Sequence, residues 1–229
     1  MAGTPPILFG RDDELSVLKG ALAARGSALV LGGKGTGKSA LLECAHGAAV
    51  AAGLAAGLTA ASERTDETLA HLLRALGAAG ARALGARALR TRLVRWCSDH
   101  RSAILLDDAD RANVGLLRAL RHVVLETSAS VIVAARTGPA DPPDRLRHAV
   151  FPGTREVRLG PLPPGAARAL ACLHLGANGE LAAEIVRESG RMPAAIVEMV
   201  RRRHELRYQI GGRTSWTLLL ADLRLENRL

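Results

Sequence analysis

The sequence predicts an α/β fold in which helices flank a parallel five-stranded sheet and a small helical subdomain follows. Three observations lead to this prediction. A glycine-rich loop lies between an apolar, strand-like run and a helical pattern. Further short apolar runs alternate with stretches of helical periodicity as far as residue 159. Three helical patterns then follow a segment rich in proline and glycine at residues 160–165.

The glycine-rich loop at residues 32–39 fits the phosphate-binding pattern G-x-x-x-x-G-K-[ST] at every fixed position. Its glycines allow successive N–H groups to turn toward one anion, beside the positive end of the next helix. Lys38 is expected to reach the β- and γ-phosphates, and the Ser39 hydroxyl to bind Mg²⁺. The alternative is a glycine-rich turn with an incidental lysine. The pattern predicts that ATP or ADP contacts Gly33, Lys34, Gly35, Thr36, Gly37, Lys38, Ser39 and Ala40.

An apolar run at residues 102–106 ends in acids and predicts the second half of the same site. Asp107, at the strand end, is expected to hold Mg²⁺ directly or through water. Asp108 is placed to act as the general base that polarises the attacking water. The alternative is a strand followed by an ordinary acidic turn. Asp110 could cap the next helix.

Another apolar run, residues 130–135, ends in Arg136. Ligands of open α/β sheets bind at the carboxyl ends of the strands, where this arginine is expected to lie. We therefore predict that Arg136 senses the γ-phosphate and acts with Lys38 and Asp108 in catalysis. The alternative is a plain surface arginine.

The remaining elements follow from periodicity and from helix start and stop signals. Asp12 could cap a first helix, and the segment before it, including Phe9 and Arg11, is either an ordinary lead-in or a lid that lines the nucleotide pocket. A weaker pattern suggests a terminal hairpin of residues 206–210 with 216–220. Strands are predicted near residues 28–31, 54–60, 102–107, 130–136 and 155–159, and later helices near 39–52, 65–76, 86–100, 114–126, 166–175, 179–189 and 194–207.

Composition narrows the class of protein. The chain has 229 residues, of which 48% are hydrophobic, enough for one core and a small subdomain. We place the division between an ATPase core at 1–160 and a helical subdomain at 161–229. Cys44, Cys97 and Cys172 are far apart and form no C-x-x-C pair, which predicts a reduced, cytoplasmic chain. The longest uncharged run is rich in alanine and glycine and does not predict a membrane span.

The formal net charge is +9, nearly all of the positive charge being arginine. This balance permits contact with nucleic acid but does not require it. Arg87, Arg92 and Arg95 lie on one predicted helix, either as a solvated face or as a nucleic-acid stripe. Aromatic residues make up 2% of the chain, so stacking platforms for bases are nearly absent.

Taken in order, these motifs resemble the STAND branch of AAA+-like P-loop ATPases, and in particular the ATPase module of large LuxR-type (MalT-like) transcriptional regulators. The resemblance covers nearly the whole chain. The matching segments are the "hhGRxxEL" opening at 8–15, Walker A at 32–39, Walker B at 104–108, the sensor strand at 131–136, the start of the helical subdomain at 160–162, and a G-x-P segment at 189–196.

The resemblance implies a sheet of strand order 51432 and an ATPase that hydrolyses slowly, as a regulatory switch. It also implies that Arg191 and Pro193 approach the nucleotide, and that ATP binding promotes self-association or capture of a protein partner. Two departures are visible. Asn113 stands where the family usually has an aspartate, and the chain stops at Leu229, as an excised module or a minimal version of such a protein.

Three other functions fit parts of the sequence. A DNA-associated AAA+ ATPase, of the transposition-helper or replication-initiator kind, fits the basic charge, although no helix-turn-helix is evident. A small phosphotransferase would normally need an acceptor pocket and lid arginines. A nucleotide-bound scaffold without turnover would retain ADP. Contact between this chain and DNA stays open at this stage.

Overall fold

A computed structural model describes residues 7–78, 84–137, 146, 153–175 and 179–211. Five parallel strands form one sheet in the order β2-β3-β4-β1-β5, which confirms the predicted fold class and strand order. The strands are β1 (Ser27–Gly32), β2 (Ala55–Ala60), β3 (Ser102–Asp107), β4 (Ser130–Arg136) and β5 (Arg155–Leu159). The helices are α1 (Asp12–Ala23), α2 (Lys38–Ala51), α3 (Thr65–Ala75), α4 (Ala86–Asp99), α5 (Val114–Glu126), α6 (Pro164–Leu175), α7 (Gly179–Glu188) and α8 (Pro193–Gly211).

The interior strands β3, β4 and β1 are apolar along almost their whole length because helices cover both faces of the sheet. One buried cluster joins α3, α4 and α5 to one face, and a second joins α1 and α2 to the other. The register pairs Gly32 of β1 with Arg136 of β4, and Ala60 of β2 with Asp107 of β3. The parallel register therefore brings the phosphate-binding loop, the paired acids and Arg136 to one edge of the sheet.

Helices α6, α7 and α8 have a small core of their own, with Ile185 and Ile196 fully buried within it. This cluster begins at Leu162, next to the predicted division of the chain, and the boundary at residues 160/161 remains our proposal. Among the residues described here, no helix is long and apolar enough to span a membrane.

Three local predictions are wrong, each for a physical reason. Asp12 is the first residue of α1 rather than its cap, and Arg11 holds the cap position without a side-chain hydrogen bond. Asn113, not Asp110, caps α5 by accepting a hydrogen bond from the Leu116 N–H at 2.9 Å. Residues 206–210 continue α8, because no helix breaker precedes the glycines at 211 and 212; residues 216–220 lie outside the described part of the chain.

Candidate nucleotide-binding site

The phosphate-binding loop takes the backbone shape that its glycines permit. Gly35 and Gly37 have φ of +79° and +93°, a region that side chains disfavour. Gly37 is the N-cap of α2, so Lys38 begins the helix beside the loop and is buried. Its Nζ donates to the carbonyls of Gly32 and Gly33, each at 2.8 Å. Burial lowers the pKa of the Lys38 ammonium, and the nearby Asp107 carboxylate acts in the opposite direction.

Ser39 and Asp107 come from distant parts of the sequence and meet at the sheet edge. The Ser39 hydroxyl donates to Asp107 Oδ2 at 2.5 Å, and Asp107 Oδ1 accepts from the Asp108 N–H at 2.8 Å. A hydroxyl and a carboxylate are the hard oxygen ligands that Mg²⁺ takes together with substrate phosphates. No group of three or more His, Cys, Asp or Glu suited to a metal occurs among the described residues. This pair therefore fits Mg²⁺ carried in with a nucleotide, rather than a metal held by protein ligands alone.

Asp108 and Arg136 form an ion pair at the same edge. Arg136 Nη2 lies 3.2 Å from Asp108 Oδ1, and the Asp108 side chain is 28% exposed, so water reaches it. The backbone holds both residues in place. Asp108 has a left-handed φ of +48°, and the Arg136 N–H donates to Asp110 Oδ1 at 3.0 Å. The residues predicted as base and phosphate sensor therefore contact each other directly.

A cavity of about 520 Å³ lies over the loop and has two chemically different ends. Lys38, Ser39, Asp108 and Arg136 line its polar end, with the loop residues 34–37 and Ala40. Hydrophobic side chains from the N-terminal segment and the helical subdomain line the other end. These are Ile7, Leu8, Phe9, Leu162, Leu170, Pro193, Ala194 and Val197; the charged Glu198 also lines the cavity. Such a cavity suits a nucleotide whose phosphates lie at the polar end and whose nucleobase lies at the apolar end.

Of the three other predicted site residues, two line the cavity and one does not. Arg11 and Pro193 line the cavity, but the Arg11 guanidinium is buried and bonds to protein carbonyls. Arg191 is exposed, has φ of +62°, and is not among the cavity-lining residues. Leu162, Leu170 and Val197 line the cavity but are not predicted as site residues. The helical periodicity of Leu170 and Val197 marks them equally well as subdomain core, and Leu162 lies in the proline- and glycine-rich junction, where no pattern identifies it.

Substituting Gly35 by alanine is expected to lower the free energy of unfolding by about 1–3 kcal/mol. The backbone is left-handed there, and an added Cβ would lie 2.8 Å from the Ala194 Cβ. Thermal denaturation measures the loss. Gly165→Ala is the control, because its added Cβ has open space in the first turn of α6 and is expected to be neutral or stabilising. Equal stability of the two variants would contradict this geometry.

A family model described as an AAA domain matches residues 22–141, more than half of the chain. The chain belongs to the AAA domain family. The matched part of this AAA domain contains the phosphate-binding loop, Asp107, Asp108 and Arg136. It supports a P-loop ATPase of the AAA+ class, whereas the narrower likeness to STAND regulators stays a prediction.

Solved structures share the fold of this AAA domain. The Aeropyrum pernix Orc1 protein in complex with DNA is 20% identical, with a TM-score of 0.58 over 87% of this chain and 62% of that chain. Cdc6p from Pyrobaculum aerophilum is 16% identical, with a TM-score of 0.68 over 91% of this chain and 65% of that chain. The replication initiator DnaA bound to AMPPCP and single-stranded DNA is 18% identical, with a TM-score of 0.56 over 96% of this chain and 66% of that chain. The chain thus spans less than two thirds of each of these proteins. No curated protein matches it.

Proposed function

We propose that this AAA domain binds ATP with Mg²⁺, hydrolyses it slowly, and serves as the nucleotide-dependent switch of a DNA-associated ATPase. The observation that carries the proposal is the convergence of Lys38, Ser39, Asp108 and Arg136 at the polar end of one cavity, with Asp107 hydrogen-bonded to Ser39 beside them. They come from three element ends, the start of α2, the end of β3 and the end of β4, and together they supply a phosphate ligand, metal ligands, a base and a second cation.

The side chains divide the work of phosphoryl transfer to water. Lys38 and the loop N–H groups bind the phosphates and hold them in position. Bound Mg²⁺ would neutralise charge on the β- and γ-phosphates, with Ser39 and Asp107 as its ligands. Asp108 accepts the proton of the attacking water, and Arg136 stabilises charge on the γ-phosphate. Because Asp108 is paired with Arg136, its carboxylate must leave this contact to bind the attacking water, and we expect turnover to be slow.

Association with DNA is the more specific part of the proposal. Structures with this fold include a protein solved in complex with DNA and another bound to AMPPCP and single-stranded DNA. The net charge of +9 fits a polyanionic partner. These features favour an initiator-like or transposition-helper ATPase over a regulator of the LuxR type.

The regulator switch remains the second candidate, on the strength of one contact. The G-x-P segment packs on the phosphate-binding loop, where the Ala194 N–H donates to the Gly35 carbonyl at 3.2 Å. A subdomain held in this way could close on ATP and open on ADP, which a protein partner could sense. The two candidates share the nucleotide chemistry and differ in what the ATP-bound form recognises.

Fluorescence anisotropy with labelled single- and double-stranded DNA separates the candidates. The DNA-associated function predicts binding by the ATP-loaded chain, and a plot of log affinity against log salt with a slope of about −0.7 to −0.9 per phosphate neutralised. Calorimetry with ATP and ADP on the same samples tests the shared chemistry. Nucleotide binding without DNA binding at any salt would favour the regulator switch. DNA binding that ignores the bound nucleotide would contradict the switch itself.

A further inference from the structure

The most buried arginine of the described chain is not accounted for by the nucleotide chemistry. Arg11 is 5% exposed, and only it and Lys38 are buried cations among the residues described here. Burying a guanidinium is costly unless its N–H groups find acceptors. The acceptors of Arg11 therefore indicate its role.

The Arg11 guanidinium bonds to three segments that are far apart in sequence. Its Nη1 donates to Glu14 Oε1 at 2.9 Å, within the first turn of α1. Its Nη2 donates to the Thr36 carbonyl in the phosphate-binding loop at 3.4 Å, and to the Gly160 carbonyl at the start of the helical subdomain. One nitrogen thus lies between the loop and the subdomain junction. The Arg11 Nε is also buried and has no hydrogen-bond partner among the described residues.

Two backbone hydrogen bonds connect the subdomain junction and the phosphate-binding loop a second time, through the turn before α8. The Leu162 N–H donates to the Arg191 carbonyl at 2.9 Å, which ties the junction to the turn before α8. The Ala194 N–H donates to the Gly35 carbonyl, which ties the start of α8 back to the phosphate-binding loop. We use the name loop–lid ring for the three segments that Arg11 and these two bonds connect. They are loop residues 35–36, junction residues 160–162 and turn residues 191–194.

The residue before Arg11 is fitted to the same junction. Gly10 has φ of +57°, and a Cβ added there would collide with the Ala166 Cβ and approach the Pro163 Cδ at 3.2 Å. The backbone therefore brings Arg11 close to the junction without an intervening side chain. Glu14 fixes the guanidinium from the other side.

We propose that Arg11 is a positioning residue that couples the shape of the phosphate-binding loop to the docking of the helical subdomain. The proposal rests on the proposed function for its effect on nucleotide affinity, but the coupling itself concerns the protein alone. In this role Arg11 acts through carbonyls of the loop and the junction, and its predicted contact with the nucleotide stays a separate prediction. Lysine cannot replace it, because a single ammonium lacks the planar fork that reaches Glu14 and two carbonyls together.

Hydrogen–deuterium exchange tests the coupling without nucleotide, on wild type, Arg11→Ala and Arg11→Lys. Both variants are expected to speed exchange in all three segments of the loop–lid ring together, residues 35–36, 160–162 and 191–194. Rates in α3 and α4 are expected to stay at wild-type values. Arg64→Ala is the matched control: it removes a salt bridge of the same 2.9 Å length, but this arginine is exposed, and within the described part of the chain its side chain hydrogen-bonds to Asp66. It is expected to change none of the three segments.

The accompanying measurement is ADP affinity by calorimetry, corrected for the folded fraction. Arg11→Ala and Arg11→Lys are expected to weaken ADP binding about tenfold. Faster exchange at the loop alone, or equally everywhere, would overturn the coupling even if ADP binds wild type well. If wild type binds no ADP, the proposed function fails, and the exchange data still decide the coupling. Rescue by Arg11→Lys in both measurements would also overturn it.

Discussion

Lys38→Ala is expected to weaken the binding of ATP and ADP by about 100-fold or more, since two charge-assisted hydrogen bonds to phosphate contribute about 3–6 kcal/mol. The Lys38 ammonium is buried at the start of α2 and already bonds to two loop carbonyls, at Gly32 and Gly33. It is therefore held within the loop before it meets a phosphate. Calorimetry with ADP and Mg²⁺ measures the loss, and thermal denaturation confirms that the variant is folded.

Lys34→Ala is the matched control for this experiment. Lys34 lies in the same loop and lines the same cavity, but its side chain is exposed and it occupies a variable position of the motif. Its loss is expected to change the affinity by less than about tenfold. If Lys38→Ala binds nucleotide as tightly as Lys34→Ala, the phosphates do not lie where the loop indicates.

Asp108→Asn is expected to slow ATP hydrolysis by about 10²–10⁴-fold, the contribution of a general base. The amide cannot accept the proton of the attacking water, while its size and its contact with Arg136 are largely kept. ATP affinity is expected to stay within a few-fold of wild type, because Lys38 and the loop N–H groups are untouched. Single-turnover release of phosphate separates the chemical step from binding.

Asp99→Asn serves as the control for the loss of a negative charge. Asp99 is exposed at the end of α4, far along the chain from the loop, and its removal changes the net charge equally. Wild-type hydrolysis by Asp108→Asn would show that another group activates the water. Loss of ATP binding by Asp108→Asn would instead assign this carboxylate to the metal.

The central elements were predictable because local pattern and tertiary context agree there. Strands β3 and β4 are continuous apolar runs that are buried on both faces, and each ends in a charged residue at the boundary given by the sequence. The phosphate-binding motif also fixes its own geometry, since left-handed φ values fall on Gly35 and Gly37. Motif and periodicity together therefore sufficed for the sheet and for the polar end of the cavity.

The failed predictions of helix caps show what a local pattern leaves out. Asp12 and Asp110 are both good capping residues, but Arg11 and Asn113 occupy the cap positions. Asn113 also accepts a hydrogen bond from the Thr65 hydroxyl at 2.7 Å and donates to the Glu63 carbonyl at 2.7 Å, across some fifty residues of chain. No periodicity encodes such contacts. The role that we propose for Arg11 is not visible in the sequence for the same reason, since two of its three acceptors lie 25 and 149 residues away.

The order of the strands has a consequence for how the protein withstands partial opening. The phosphate-binding loop, the paired acids and Arg136 lie at the carboxyl ends of β1, β3 and β4, and each of these strands is hydrogen-bonded to a neighbour on both sides. The outer strands, β2 and β5, are held on one side only and can fray at a small cost in free energy. If either outer strand frays, β3, β4 and β1 remain hydrogen-bonded to one another. Nucleotide binding is therefore expected to survive such local opening and to be lost only when the sheet melts as a whole.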